Sequence, residues 1–142
     1  MTITREQILA SLHADWGTFV EHFQRLSPEA QAAYLQQQGY ARFADLLAHV
    51  SAWWQEGLAA LPAMLNNPAY TSPDHDVDRF NAQAVDRLHD LSESAIIAIF
   101  SDLRQQWIDL VNGLPAEAFH NERINWRLHI EIIGHFDEHR LA

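Results

Sequence analysis

From about Arg42 to Leu65 the apolar residues Phe43, Leu47, Val50, Trp54, Leu58, Leu61 and Leu65 recur every three or four positions. A seam this long and regular runs along one face of an α-helix and has to be covered by partner elements. Those partners are helices, because no stretch alternates Val, Ile and Thr between turn signals as a strand would. Thr4-Arg5-Glu6-Gln7 has the form of a capping box and opens the stripe Ile8, Leu12, Trp16, Phe19, Phe23 and Leu26, which predicts a first helix to about residue 26. Ser27-Pro28-Glu29 supplies an N-cap followed by proline at the first helical position, so a short connecting helix is predicted up to Gly39. Beyond the long helix, Asn66-Asn67-Pro68 and Ser72-Pro73 punctuate a loop long enough to be a crossover. Val77, Phe80, Ala84 and Leu88 begin a third helix, and Ser92-Glu93 caps it afresh before Ile96, Phe100, Leu103, Trp107, Leu110 and Leu114. One long helix with a kink or break near Leu91 is expected. Asn125 is the predicted N-cap of a last helix through about Arg140. Four amphipathic helices bury their stripes best as an all-α four-helix bundle, here with a long crossover and short connecting helices, in one domain over residues 1–142.

Composition removes several function classes. The chain has no Cys, which excludes disulfides, thiolate nucleophiles and Cys-containing metal motifs and fits a reducing compartment. Its 19 acidic residues against nine arginines leave a net charge of −10, the opposite of the clustered cations that phosphate backbones require. No nucleic-acid partner is expected. The start, Met1-Thr-Ile-Thr-Arg-Glu-Gln, carries charge where an export signal needs an apolar run, and the longest apolar run, Ala95–Phe100, is far short of the ~20 residues of a membrane span. The expected location is the cytoplasm, with no membrane partner.

The sharpest local motif is His135-Phe136-Asp137-Glu138-His139. Residues four apart on a helix lie roughly 40° apart and one turn up, so two imidazoles there can converge on one ion. His49 occupies a comparable place on the second helix, roughly 40° beyond Trp53 at the edge of the apolar arc. Boundary positions of this kind line grooves between helices, where bundles build their ligand sites. Three neutral imidazoles also match the donor set of a catalytic zinc centre that leaves a coordination position open. Spacing leaves a second reading open, in which these are hydrogen-bonded boundary histidines, because it does not show that the second and last helices are neighbours. Asp74-His75-Asp76-Val77-Asp78 imitates the start of a calcium loop but has Arg79 in place of the required Gly and Val85 in place of the closing Glu. His13, His22, His75, His89, His120 and His129 have no partner at chelating spacing and read as surface or helix-flank residues.

The run Gly39-Tyr40-Ala41-Arg42-Phe43-Ala44-Asp45-Leu46-Leu47-Ala48-His49 through Trp53-Trp54, with Gly134-His135-Phe136-Asp137-Glu138-His139, resembles the DinB/YfiT-like superfamily. Asp45 to His49 with the tryptophans, Arg79-Phe80-Asn81-Ala82 and the closing Gly-His-Phe-Asp-Glu-His resemble its ClbS/DfsB branch. The resemblance implies a four-helix bundle with a long crossover and a divalent metal held by His49, His135 and His139. Three imidazoles accept several ions, zinc and nickel first among them. Tyr40 stands where the superfamily often has Trp, and Phe136 where the branch commonly has Tyr. The branch implies hydrolytic opening of a strained electrophilic ring, and its members do not all depend on metal.

The expected function is therefore that of a small enzyme that modifies or detoxifies an electrophilic small molecule with activated water or thiol. Glu56, two turns after His49, Glu131, one turn before His135, and Asp45, one turn before His49, are the candidate carboxylates for acid–base work or for holding a ligand ring. Without a metal the same pocket would use a His or Glu as base, with Trp53, Trp16 or Trp126 as an aromatic wall. Trp53 and Asn81 are the expected substrate-pocket residues. The alternative function is a non-catalytic module, either a stress-associated protein that sequesters a small molecule or a dimeric interaction unit. A homodimer is the expected assembly and suits either function.

Overall fold

The computed structural model describes residues 2–141; Met1 and Ala142, the two ends of the expected domain, lie outside them. Helix α1 (residues 5–25) opens at Thr4, whose hydroxyl accepts from the Gln7 N–H while the Gln7 side chain accepts from the Thr4 N–H, completing the capping box. It runs through a π-helical stretch, Ser11–Asp15, into Trp16–Arg25. Helix α2 (Pro28–Gln38) begins on the Ser27 hydroxyl and ends at Gly39, whose φ of 83° lets its N–H and that of Tyr40 close on the Leu35 carbonyl. Helix α3 is Phe43–Asn66, α4 is Val77–Leu88 and α5 is Glu93–Gly113. Helix α6 (residues 122–139) joins Glu122–Leu128, a π-helical stretch His129–Gly134 and a final turn His135–His139.

There is no strand among the described residues, and the architecture is the all-α bundle with a crossover that the periodicity predicts. Helix α3 packs against α5 and α6, and α1 closes the bundle against the same two helices. Helices α2 and α4 are the short connectors. The reading of one long third helix resolves into two, because the chain turns after Leu88 and Ser92 caps α5 through the Ala95 N–H. The last helix starts at Asn121, four residues before the expected Asn125, with the Asn121 side chain accepting from the Arg123 and Ile124 N–H groups. Asn125 is buried instead and ties down the N-terminal segment, bonding the N–H and carbonyl of Ile3 and the Phe119 carbonyl.

The long seam is broader than a stripe. Every residue from Phe43 to Ala52 is buried, because α3 is the central helix and is covered on all sides at that end. Leu65, at the far end of the predicted seam, is exposed. Trp16 anchors the core, with its ring centroid 4.9 Å from Trp54, 5.1 Å from Phe136 and 5.5 Å from Phe19. Its indole N–H donates to the Ile132 carbonyl at 2.9 Å, and that of Trp54 to the Glu131 carbonyl at 3.1 Å. Both acceptors lie in the π-helical stretch of α6, the segment that carries the chain into the His135–His139 turn. Gly57 lets these layers approach, since a Cβ there would stand 2.7 Å from the Trp107 ring and 3.0 Å from the Glu131 carboxyl carbon.

No helix among the described residues is long and apolar enough to cross a membrane.

Candidate metal centre

His49 comes from the buried half of α3, and His135 and His139 from successive turns of α6. All three are buried, and one ring nitrogen from each lies within 4.8 Å of the others. The ring centroids stand 4.9 to 5.3 Å apart.

Neighbouring amides fix the tautomers of His49 and His139. The Asn81 Oδ1 accepts from the Trp53 indole N–H at 2.7 Å, so the atom facing His49 Nδ1 at 2.9 Å is an oxygen, and Nδ1 of His49 carries the proton. Gln38 donates its amide N–H to the Glu138 carbonyl at 3.1 Å, which turns its oxygen to His139 Nδ1 at 2.7 Å, so that nitrogen also donates. The Nε2 atoms of His49 and His139 are thereby left as bare lone pairs. Those of His49 and His135 face each other at 3.3 Å, and Nε2 of His139 is buried with no hydrogen-bond partner. A buried acceptor without a partner costs free energy. Donors held at about 2.0–2.1 Å around a tetrahedral ion stand about 3.3 Å apart, and metal-binding imidazoles commonly park their other N–H on an oxygen. The donor set fits a divalent metal.

Electrostatics keep the rings ready. Burial pushes the His49 pKa down against a small opposing effect of Asn81. Burial, with His139 and His49 nearby, holds His135 well below its ordinary value, and burial with His49 takes His139 down to about 3. All three are neutral near pH 7, the form that binds metal.

The His49 and His135 side chains open onto a cavity of about 520 Å³ between α3, α4, α6 and the crossover loop. Glu131, Arg127, Trp53, Asn81, Glu56 and His75 are among its walls. A groove of about 570 Å³ lies elsewhere, between α3, α4 and α5, with none of these rings in it. The Glu131 carboxyl accepts from Arg127 Nε at 2.9 Å, yet burial outweighs that arginine and raises its pKa to about 7. Glu56 pairs with His75, a residue that spacing had left on the surface. Asp45 is bonded to Arg42 Nε at 3.1 Å and Nη2 at 2.6 Å and does not line the cavity; the group that orients His49 is Asn81. Trp16 is core, Trp126 is 63% exposed on another face, and Trp53 alone of the three candidate walls lines the cavity. Sequence reasoning missed Gln38, Arg127 and His75. Gln38 sits 101 residues from the ring it orients, and no local pattern marks it.

A helical bundle with three buried, converging imidazoles from two helices defines a class of candidate metal-binding proteins. The chain matches the family model described as the DinB superfamily over residues 11–140, and it belongs to that superfamily. No match was found among curated proteins or solved structures.

Proposed function

We propose that this chain is an enzyme that opens an electrophilic small molecule with water or a thiol, using a divalent metal, zinc or nickel first, held by His49, His135 and His139. The observation that carries the reading is the convergence of three buried imidazoles, one nitrogen of each within 4.8 Å of the others, with Nδ1 of His49 and of His139 engaged by a neighbouring amide oxygen. A bound divalent ion would supply Lewis acidity and draw the pKa of water or a thiol toward neutrality.

The acid–base role falls to Glu131, whose raised pKa of about 7 lets it take and return a proton near neutrality. Arg127 steadies its carboxyl, and Trp53 and Asn81 wall the substrate side of His49. Asp45, paired with Arg42, is assigned to holding the start of α3. The reaction class follows the ClbS/DfsB likeness. Water oxygen bonds to a carbon of a strained ring and loses its proton to Glu131; the ring bond breaks with its electrons going to the departing atom, which then takes a proton.

Elemental analysis of the purified chain tests this directly. About one divalent ion per chain is expected, lost in the combined His49→Ala, His135→Ala and His139→Ala variant. Disappearance of a reactive epoxide should be faster with wild type than with Glu131→Gln. A folded chain that holds no ion would end the metal reading.

A further inference from the structure

The same cavity has a second pole that the metal chemistry does not use. Glu56 lies seven residues after His49 on α3, two turns or roughly 10 Å along the helix. His75, from the crossover loop, pairs through Nε2 with one oxygen of the Glu56 carboxyl. The His75 ring meets Trp53 edge-on, with centroids 5.9 Å apart and planes at 85°, and both rings rest on Phe80 at 4.7 and 4.1 Å. Glu56 and His75 keep 28% and 30% of their side-chain surface open. They are reachable from the cavity but not stranded in bulk water.

The loop has other anchors besides this pair. Arg123 already bonds the Pro68 carbonyl at 2.6 Å and the Tyr70 carbonyl, and Arg127 bonds the Ser72 hydroxyl at 2.8 Å. Charge in the cavity is also lopsided. Of its carboxylates, Glu131 is matched by Arg127, the cavity's one arginine, while Glu56 and Glu138 have no arginine there. A carboxylate fixed in orientation by an imidazole, with an indole beside it, is the chemistry that binds organic cations through a charge-assisted hydrogen bond and the aromatic quadrupole.

We infer that the Glu56–His75–Trp53 end of the cavity is a subsite for a protonated amino group of the substrate. This rests on the proposed function insofar as the cavity is the substrate's. Glu56 accepts the ammonium N–H, His75 holds the carboxylate in place, and Trp53 covers the cation. The substrate class narrows to amine-bearing electrophiles.

The test compares benzylamine with its neutral isostere benzyl alcohol on the purified chain at pH 7, following the Trp53 indole N–H resonance and the affinity of each probe. Benzylamine should bind about tenfold more tightly and shift Trp53, and Glu56→Gln should remove that preference. Treatment with EDTA should leave it intact, so that loss of the metal reading and loss of this one can be told apart. Equal binding of amine and alcohol to wild type, absence of amine binding, or an undiminished preference in Glu56→Gln would each overturn the inference.

Discussion

Each histidine of the centre is held neutral by burial, and this makes the metal-free chain acid-sensitive. Above about pH 6.5 the rings are neutral in both folded and unfolded states. Below it the unfolded chain binds protons that the folded one refuses, down to about 3 for His139, so stability falls as pH falls. Each ring can contribute up to about 1.4 kcal/mol per pH unit. Glu131 acts in the opposite sense between about 7 and 4.5, where the folded state holds a proton the unfolded state lacks. Urea midpoints of the EDTA-treated chain should therefore drop from pH 6.5 to pH 4.5, and more steeply in Glu131→Gln; a flat profile would contradict this. At the same scale, Gln38→Leu removes the acceptor for His139 Nδ1 and should weaken metal binding about 10- to 100-fold by competition titration. The three candidate ligands were legible because chelating spacing and arc position are local properties. Gln38 and the Glu56–His75 pair were not, because their partners are fixed only by packing of distant segments.

Helix edges follow local chemistry where a cap is unambiguous, as at Thr4, Ser27 and Ser92. At the last helix two asparagines compete, and Asn121 takes the cap because Asn125 is claimed by Ile3 and Phe119. The π-helical stretches left no trace in the periodicity. Their wider turn delays rotation about the axis, and on α6 it brings His135, Phe136 and His139 all to buried positions, where an ideal helix puts the two histidines at the boundary. Close packing at Gly57 gives a direct test of the layers. Alanine is the better helix former by roughly 0.5–1 kcal/mol, but its methyl would press on the fully buried Trp107. Gly57→Ala should therefore destabilise the chain by about 1–3 kcal/mol in chemical unfolding. A stabilised variant would mean that α3 and α5 stand further apart than described.

At the scale of the whole molecule, the bundle and its crossover were readable because four apolar stripes with no strand pattern leave few alternatives. The adjacency of α3 and α6 was not, since spacing says nothing about which helices meet; Trp54 of α3 docks its indole onto an α6 carbonyl, as Trp16 does from α1. The homodimer expected from the sequence should appear in light scattering at twice the 16.3 kDa chain mass, and a particle of a single chain's mass would remove it. The claim on which the rest depends is that one ion joins helices remote in sequence. An anomalous-scattering map of crystals of the purified chain, recorded on either side of the zinc and nickel edges, measures this directly. The expected result is a single strong peak between the Nε2 atoms of His49, His135 and His139. Density for three rings with no peak among them, or with His139 turned away from the other two, would contradict it.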